Sequence, residues 1–292
     1  MKERGILSTS ERRRPVTRVV FTTLIAAVLA CLAIAAAGPI VWLAKSAVST
    51  SQDILRDPFG WWPGGIQWEN LAEAWTGMDI GRALANTLYI AAGTWFLGLF
   101  VALTGGYSLA ILRPRYAKAV SGAVMATLFI PGVVSLVSLY LTVIDVPVLG
   151  VNLINSYWAV WLPAAAHAFN VLLVKNFFAE LPKEVFEAAK VDGANSFDVF
   201  WRIVLPMSRP IIAVVSLLTL VSAWKEFLWP LLVLPSPDLQ PLSVVLYKIS
   251  ATAETSTLTA AMFIAVILPL AFFLLFQKQF LRSAGQAGAV KG

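Results

Sequence analysis

The chain has 292 residues, of which 59% are hydrophobic and only 13% are charged, and its formal net charge is +6. A share of charged side chains this small could not cover the surface of a soluble domain of this length. The composition therefore predicts an integral membrane protein. The single cysteine, Cys31, excludes an intrachain disulfide, and one histidine leaves few nucleophile–base pairs. No phosphate-binding loop or zinc-protease motif occurs in the chain. These features predict that the chain is not an enzyme and binds no metal or cofactor itself.

Six apolar stretches are long enough to cross about 30 Å of hydrocarbon as helices. They cover residues 19–43, 83–112, 119–144, 156–174, 211–234 and 258–277. A helix satisfies its own backbone hydrogen bonds in lipid, so an all-α protein with six transmembrane helices is predicted. The predicted parts are a tail (1–18), a membrane domain (19–280) and a second tail (281–292). The membrane domain includes loops 45–82, 175–210 and 235–257.

The distribution of basic residues predicts the orientation in the membrane. With the N-terminus inside, 17 of the 22 lysines and arginines fall at the two ends of the chain, up to residue 18 and from residue 278 onwards, and in loops 113–118 and 175–210. Four lie in the loops 45–82 and 235–257, and one, Lys225, lies within the fifth span. Because cytoplasmic loops are enriched in Lys and Arg, both termini are predicted to be cytoplasmic and the other two loops external. This topology accounts for the net positive charge of the chain, so no nucleic-acid partner is needed to explain it.

Small residues and prolines within the spans predict how the helices pack and where they break. The second span carries small residues four positions apart, at Gly98, Ala102 and Gly106. They form one face that another helix can approach closely, and internal packing is the favoured interpretation. The third, fourth and sixth spans contain Pro131, Pro163 and Pro269. Proline removes a helix hydrogen bond, so kinked or broken helices are predicted there.

Polar residues inside the spans are candidates for a transport pathway. His167 and Asn170 lie in the fourth span, and Trp224, Lys225 and Glu226 lie in the fifth. A lone histidine cannot form a metal site by itself, so His167 is interpreted as making an interhelical hydrogen bond or, less favoured, as a proton relay. Lys225 and Glu226 would lie about 100° apart on one helix, which predicts separate partners. Both a structural role and contact with cargo remain open.

Residues 184–206, EVFEAAKVDGANSFDVFWRIVLP, predict a helix–turn–helix hairpin between the fourth and fifth spans. The first helix has a shallow face at Val185, Ala188, Ala189 and Asp192, and Gly193 can adopt the positive φ that ends a helix. Asn195 or Ser196 can cap a second helix, whose apolar face carries Phe197, Phe200, Trp201 and Val204. Pro206 limits the run of this helix. Periodicity alone is equally typical of an amphipathic hairpin lying on the membrane.

The same segment resembles the EAA motif of the permease subunits of ABC importers: Glu-Ala-Ala, three residues, Gly, nine residues, Ile-x-Leu-Pro. The matching residues are Glu187, Ala188, Ala189, Gly193, Ile203, Leu205 and Pro206, and Asp192 also fits. Stretches 86–96, 177–189, 224–234 and 287–292 are similar to those of maltose-type carbohydrate-uptake permeases. The chain departs from the family at Lys225, where asparagine is usual.

The resemblance implies a type I ABC importer permease fold in a bacterial inner membrane. The hairpin would be the coupling helix that docks on an ATPase subunit, with Glu187 as a polar contact, Ala188 and Ala189 allowing close approach and Gly193 shaping the turn. The implied partners are a second homologous permease, two ATPase subunits that bind ATP and Mg, and an external solute-binding protein contacting residues 235–257. The cargo would be a sugar or sugar-like solute.

Two other classes compete with this interpretation. A gradient-driven secondary carrier would explain six spans and the intramembrane Lys225 and Glu226, but not the complete motif. A membrane scaffold or assembly protein is a more distant alternative.

Overall fold

The computed structural model describes residues 15–60 and 62–289, and the regular elements within these ranges are helices. One isolated antiparallel bridge joins Val146 and Val151. The predicted all-α class is therefore confirmed. The tail residues 1–14 and 290–292, with their basic side chains, lie outside the described residues.

The chain forms two compact units. The first comprises the described residues up to Ala74 together with Ala253–Val266. It contains α1 (Pro15–Ala47) and α2 (Ser51–Arg56), and the chain then enters α3 (Glu69–Thr76). Residues 45–82, predicted as an external loop, are therefore partly helical.

Side-chain hydrogen bonds hold the first unit together near the end of α1. The Asn70 amide donates to the carbonyls of Ala47 and Ser49, at 3.3 and 2.9 Å. The Thr259 hydroxyl donates to the Ser46 carbonyl at 3.1 Å. These bonds join segments more than twenty residues apart along the chain, so they give residues 46–70 a defined structure.

The second unit comprises Trp75–Thr252 and the chain from Ile267 onwards. Its helices are α4 (Ile80–Tyr107, continued by a π-helical turn Ser108–Leu112), α5 (Ala117–Thr127), α6 (Leu136–Ile144), α7 (Trp158–Ala165), α8 (Ala168–Ala179), α9 (Lys183–Val191), α10 (Ser196–Met207), α11 (Arg209–Lys225), α12 (Leu228–Val233) and α13 (Leu242–Ile249). The last helix, α14 (Thr255–Ala289), contributes to both units.

Prolines account for most of the breaks in the predicted spans. The third span is divided into α5 and α6 by turns over residues 128–135, which contain Pro131. The fourth is divided into α7 and α8, bent by 40°, at residues 166–167, and α7 itself continues through Pro163. Pro163 has no backbone N–H to donate to the Ala159 carbonyl, four residues earlier in the helix. This carbonyl instead accepts the Trp229 indole N–H at 2.8 Å. By contrast, α14 continues through Pro269 without interruption.

The fifth predicted span is also broken, although a single uninterrupted helix was predicted there. α11 ends at Lys225, and Glu226 has an extended backbone (φ −65°, ψ 127°) before α12 begins at Leu228. The cause is Pro230, whose ring would clash with the carbonyl of Glu226, four residues earlier, in a continuous helix. Lys225 and Glu226 therefore do not lie on one helix, and the predicted separation of about 100° between them is wrong.

By length and composition, two helices can each cross a membrane, Val19–Ala47 and Ile80–Leu112. The number rises to four if each of two bent pairs counts as one span, Trp158–Ala165 with Ala168–Ala179 and Ser196–Met207 with Arg209–Lys225. These counts refer to the described residues and establish an all-helical, multi-pass arrangement.

The contacts of α4 establish the directions of the helices in the second unit. The Trp161 indole donates to the Ile90 carbonyl at 3.1 Å, whereas a Cβ at Gly106 would lie 2.7 Å from Val174. A later residue of α4 therefore contacts a later residue of α7–α8, so α7 and α8 run parallel to α4. α11 and α12 run in the opposite direction. Asn170 of α8 is bonded to Thr219 of α11, whereas the earlier residue Ala159 of α7 is bonded to the later residue Trp229 of α12.

The predicted small-residue face of the second span is confirmed as an internal packing surface. Gly98, Ala102 and Gly106 are all buried, and an added Cβ at Gly98 would meet Thr219 of α11 at 3.6 Å. An added Cβ at Gly106 would also lie 3.1 Å from the backbone nitrogen of Lys175. Because this face consists of two glycines and one alanine, α8 can pack closely against the backbone of α4.

Candidate coupling hairpin and pathway residues

The first helix of the hairpin, α9, ends in a Schellman motif at the predicted glycine. Gly193 has φ +74°, and its N–H donates to the Lys190 carbonyl at 3.1 Å. The Ala194 N–H donates to the Ala189 carbonyl at 2.9 Å, which completes the paired bonds of this motif. The predicted turn at Asp192 and Gly193 is therefore confirmed, and it depends on a backbone conformation that favours glycine.

The second helix of the hairpin, α10, begins at the predicted cap. The Asn195 side-chain oxygen accepts hydrogen bonds from the backbone N–H groups of Phe197 and Asp198, both at 2.9 Å. The helix ends at Met207, one residue after Pro206, and α11 then leaves at an angle of 77°. Its middle part, Val199–Val204, is π-helical.

The eight motif residues fall into two groups by exposure. Glu187, Ala188, Asp192, Gly193 and Pro206 are exposed, and the first four lie in the second half of α9 and in the turn that follows it. Ala189 is buried, and Ile203 and Leu205 pack against a buried cluster that extends to α4, α8 and α11. The motif therefore combines an accessible tip with apolar residues that attach this tip to the membrane helices.

Tyr107, at the end of α4, is the main polar attachment point of the hairpin. Its hydroxyl donates to the Ser196 carbonyl at 2.8 Å, and its ring packs 4.9 Å from the ring of Phe200. Val174 and Phe178 of α8 belong to the same buried cluster. No local pattern in the sequence marks Tyr107, because its role depends on where α10 folds back.

A groove of about 460 Å³ lies between α9 and the end of α4. Its lining includes Glu187 and Lys190 of α9, Arg113 after α4, and Phe186. The groove is thus lined by charges of both signs and by apolar side chains, next to the exposed tip of the hairpin.

The predicted pathway residues of the fourth span have different environments. Asn170 is buried, and its amide donates to the Thr219 hydroxyl of α11 at 3.1 Å. His167 lies at the break before α8 and is exposed. Within the described residues no hydrogen bond involves its imidazole, so Asn170 rather than His167 makes the interhelical bond. No group of three or more His, Cys, Asp or Glu residues that could hold a metal occurs in the described part of the chain.

The predicted pathway residues of the fifth span lie at the break between α11 and α12. Lys225 and Glu226 are exposed, and Trp224 is half-buried. One Glu226 carboxylate oxygen accepts the backbone N–H of Trp229 at 3.3 Å. The backbone carbonyl of Glu226 accepts the Ser243 hydroxyl at 2.7 Å. The three ion pairs in the described residues do not include Lys225.

A buried hydrogen-bond network that sequence reasoning did not identify fastens residues 235–242 to α4. The Asn86 amide donates to the carbonyls of Asp238 and Gln240, at 2.7 and 3.0 Å, and its oxygen accepts the Tyr157 hydroxyl at 2.9 Å. The Thr87 hydroxyl oxygen accepts the Leu242 N–H at 2.8 Å. The predicted external loop 235–257 therefore has a fixed attachment at its start.

Comparison with known proteins identifies the family. Residues 74–285 match the family described as "Binding-protein-dependent transport system inner membrane component". The chain belongs to this family. The matched region contains the whole hairpin, and the predicted permease subunit of an ABC importer in the inner membrane is thereby confirmed. The family also decides against the secondary carrier.

Individual relatives agree with this assignment. The chain is 32% identical over 267 residues to "Probable ABC transporter permease protein YurM" of Bacillus subtilis (strain 168), covering 89% of this chain and 85% of that one. It is 30% identical over 234 residues to "Melibiose/raffinose/stachyose import permease protein MelC" of the same organism, covering 79% and 83%.

A solved structure has the same fold. It is described as a "bacterial ABC transporter involved in the import of the acidic polysaccharide alginate", with a TM-score of 0.81 at 22% identity. The match covers 94% of this chain and 99% of that one. At this identity the similarity establishes the fold alone.

Proposed function

We propose that this chain forms half of the translocation pathway for a sugar or sugar-like solute, which an external binding protein delivers. The observation that carries the proposal is the complete EAA segment, folded as a capped hairpin whose motif tip is exposed. The sugar assignment is supported by the maltose-type resemblance and by a relative whose name specifies import of melibiose, raffinose and stachyose.

The type I fold with six spans and both termini in the cytoplasm is part of this proposal. α4 and α7–α8 run in one direction and α11–α12 in the other, so the chain must return across the membrane between Leu112 and Trp158. α5 and α6, broken around Pro131, supply that return. The excess of Lys and Arg in the tails and in loops 113–118 and 175–210 supports the cytoplasmic placement of the hairpin and of both tails.

The hairpin transmits the state of the ATPase to the membrane helices in this proposal. Glu187, Ala188, Asp192 and Gly193 form the docking tip, while Ala189, Ile203, Leu205 and Pro206 connect it to the rest of α10 and to the buried cluster. A tip attached to α4, α8 and α11 moves with them, so closure of two ATPase subunits around ATP and Mg can shift the permease between its states. The binding site for ATP and Mg lies on those partners.

The remaining partners bind elsewhere on the chain. A second homologous permease completes the pathway, with membrane lipid around the pair. The external solute-binding protein contacts residues 235–257, where the bonds from Asn86 to Asp238 and Gln240 hold the start of the segment rigidly. A preordered loop loses little conformational entropy on binding.

Reconstitution of the complete transporter tests the proposal. The chain is combined in proteoliposomes with a second permease, an ATPase and a binding protein of the same transport system, and uptake of radiolabelled sugars is measured with and without ATP. Glu187→Ala or Gly193→Pro is expected to abolish ATP-dependent uptake, whereas Glu184→Ala, an exposed acidic residue of the same helix outside the motif, is expected to retain it. Uptake that survives both motif substitutions, or that follows an ion gradient without ATP, would contradict the proposal.

A further inference from the structure

Lys225 lies at the depth of the hydrocarbon region. An added Cβ at Gly98 would be 3.6 Å from Thr219, so Thr219 is level with the middle of the second predicted span. Lys225 follows six residues later in α11, which places it about 9 Å further towards the external end of the helix. Since half the hydrocarbon thickness is about 15 Å, the α-carbon of Lys225 lies inside it.

The helix break at this depth exposes backbone that lipid cannot solvate. α11 ends at Lys225, and the following two residues are not helical. Such backbone occurs within membranes where it packs on protein or lines a water-filled cavity. Part of it packs on protein here, because the Glu226 carbonyl accepts the Ser243 hydroxyl and the Phe227 ring lies 5.0 Å from the ring of Tyr247. These contacts do not cover the side chain of Lys225, which is exposed.

Lys225 has no counter-ion among the described residues, although Glu226 is its neighbour. The Glu226 carboxylate is directed to the start of α12, where it accepts the Trp229 N–H at 3.3 Å, and no ion pair joins it to Lys225. An unpaired ammonium group inside a membrane is costly, and such residues mark substrate or ion pathways. A carboxylate or phosphate group on a passing solute would supply the missing partner through charge-assisted hydrogen bonds.

We propose that Lys225 faces the translocation pathway and binds an anionic group of the solute, so that the cargo is an acidic saccharide or a sugar phosphate rather than a neutral sugar. This inference rests on the proposed importer function and narrows its substrate class.

Two other roles for Lys225 predict different results. Its position in the last turn of α11 places a cation beside unpaired carbonyls, which stabilises a helix end. Its long side chain could instead reach lipid phosphate at the external surface. Either role affects assembly or stability and therefore transport of every solute alike, whereas a solute contact affects anionic and neutral solutes differently.

The test uses the complete transporter, with its binding protein, in proteoliposomes and compares matched pairs of probes. The pairs are galacturonate and galactose, digalacturonate and galactobiose, and glucose 6-phosphate and glucose. The wild-type transporter is expected to take up at least one anionic probe at least tenfold faster than its neutral parent. Lys225→Gln is expected to lower uptake of that probe about tenfold or more, because a hydrogen bond to a charged group is lost. Lys225→Arg is expected to retain most of it, and Lys118→Gln, at an exposed lysine of α5 outside the segments assigned to partners, serves as the control.

The outcomes separate this inference from the importer assignment. ATP-dependent uptake of neutral sugars without any preference for anionic probes would overturn the inference and leave the importer intact. An equal loss of neutral and anionic uptake in Lys225→Gln would also overturn it, in favour of a helix-end or lipid contact. If Lys225→Gln fails to assemble, the wild-type preference decides alone. Absence of ATP-dependent uptake of every probe by a correctly assembled wild-type transporter would also overturn the inference, whereas ATPase activity that the binding protein does not stimulate would count against the importer assignment.

Discussion

The Tyr157 hydroxyl donates a 2.9 Å hydrogen bond to the side-chain oxygen of Asn86, and this pair fastens residues 235–242 to α4. Both hydrogens of the Asn86 amide are also used, on the carbonyls of Asp238 and Gln240. Every polar atom of a buried side chain is therefore bonded, as a preordered network requires. The network places the candidate contact for the binding protein next to the start of the second span.

Removing the Asn86 amide should destabilise the protein and weaken coupling to the binding protein. In Asn86→Leu the two carbonyls and the Tyr157 hydroxyl lose their partner, at about 1–3 kcal/mol for each group left unsatisfied. Thermal unfolding in detergent measures the stability, and stimulation of ATPase activity by the binding protein measures the function. Tyr157→Phe should cost less, because it removes one bond, and the double variant should be less destabilised than the sum. Additive effects would show that the two residues act independently.

Gly93→Ala should be strongly destabilising because the Trp161 indole fills the space beside Gly93. An added Cβ would lie 2.1 Å from Trp161 Cε2, too close for any relaxed contact, and the indole is also held by its bond to the Ile90 carbonyl. Overpacking of this kind costs about 1–3 kcal/mol. Gly105→Ala is the matched control, since its Cβ would meet Val171 at an ordinary 3.5 Å. Equal melting temperatures for the two variants would contradict the packing described for Trp161.

Gly193→Ala should destabilise the hairpin turn through its backbone. The residue has φ +74° with no atom within 4 Å of an added Cβ, so strain of the left-handed conformation, about 1–2 kcal/mol, is the expected effect. Gly193→Asn should cost less, because asparagine tolerates this conformation. Gly122→Ala in α5 is the control, since it also has open space but lies within a helix, where alanine is favoured by about 0.5–1 kcal/mol. Stability is compared by thermal unfolding, and ATP-dependent uptake reports on the turn.

Asn195→Ala should loosen the start of α10 by removing its cap. Two backbone N–H groups lose their acceptor, and loss of a cap typically costs about 1 kcal/mol. Hydrogen exchange of the amides of Phe197 and Asp198 should accelerate, whereas amides in α8 should be unaffected. Asn176→Ala, an exposed asparagine within α8, should leave exchange at α10 unchanged. Unaltered protection of Phe197 and Asp198 in Asn195→Ala would show that the cap is dispensable.

The sequence alone was sufficient for the features that depend on near neighbours. The turn at Gly193 and the cap at Asn195 use side chains and backbone groups within a few residues, so their chemistry is visible in the sequence. The break at Pro131 follows from a missing donor at one position. Pro230 carried the same information about the break after Lys225, but the apolar run around it suggested an uninterrupted helix.

Only the tertiary structure decided which distant residues meet. Asn86 and Asp238 are separated by 152 positions and Gly93 and Trp161 by 68, and nothing in either local sequence identifies the other. The directions of α4, α8 and α11 bring these residues together. Those directions result from burial of small and apolar helix faces, which many different helices could cover. The division of the EAA motif into an exposed tip and a buried attachment has the same origin. It exists because α10 folds back onto Tyr107 at the end of α4.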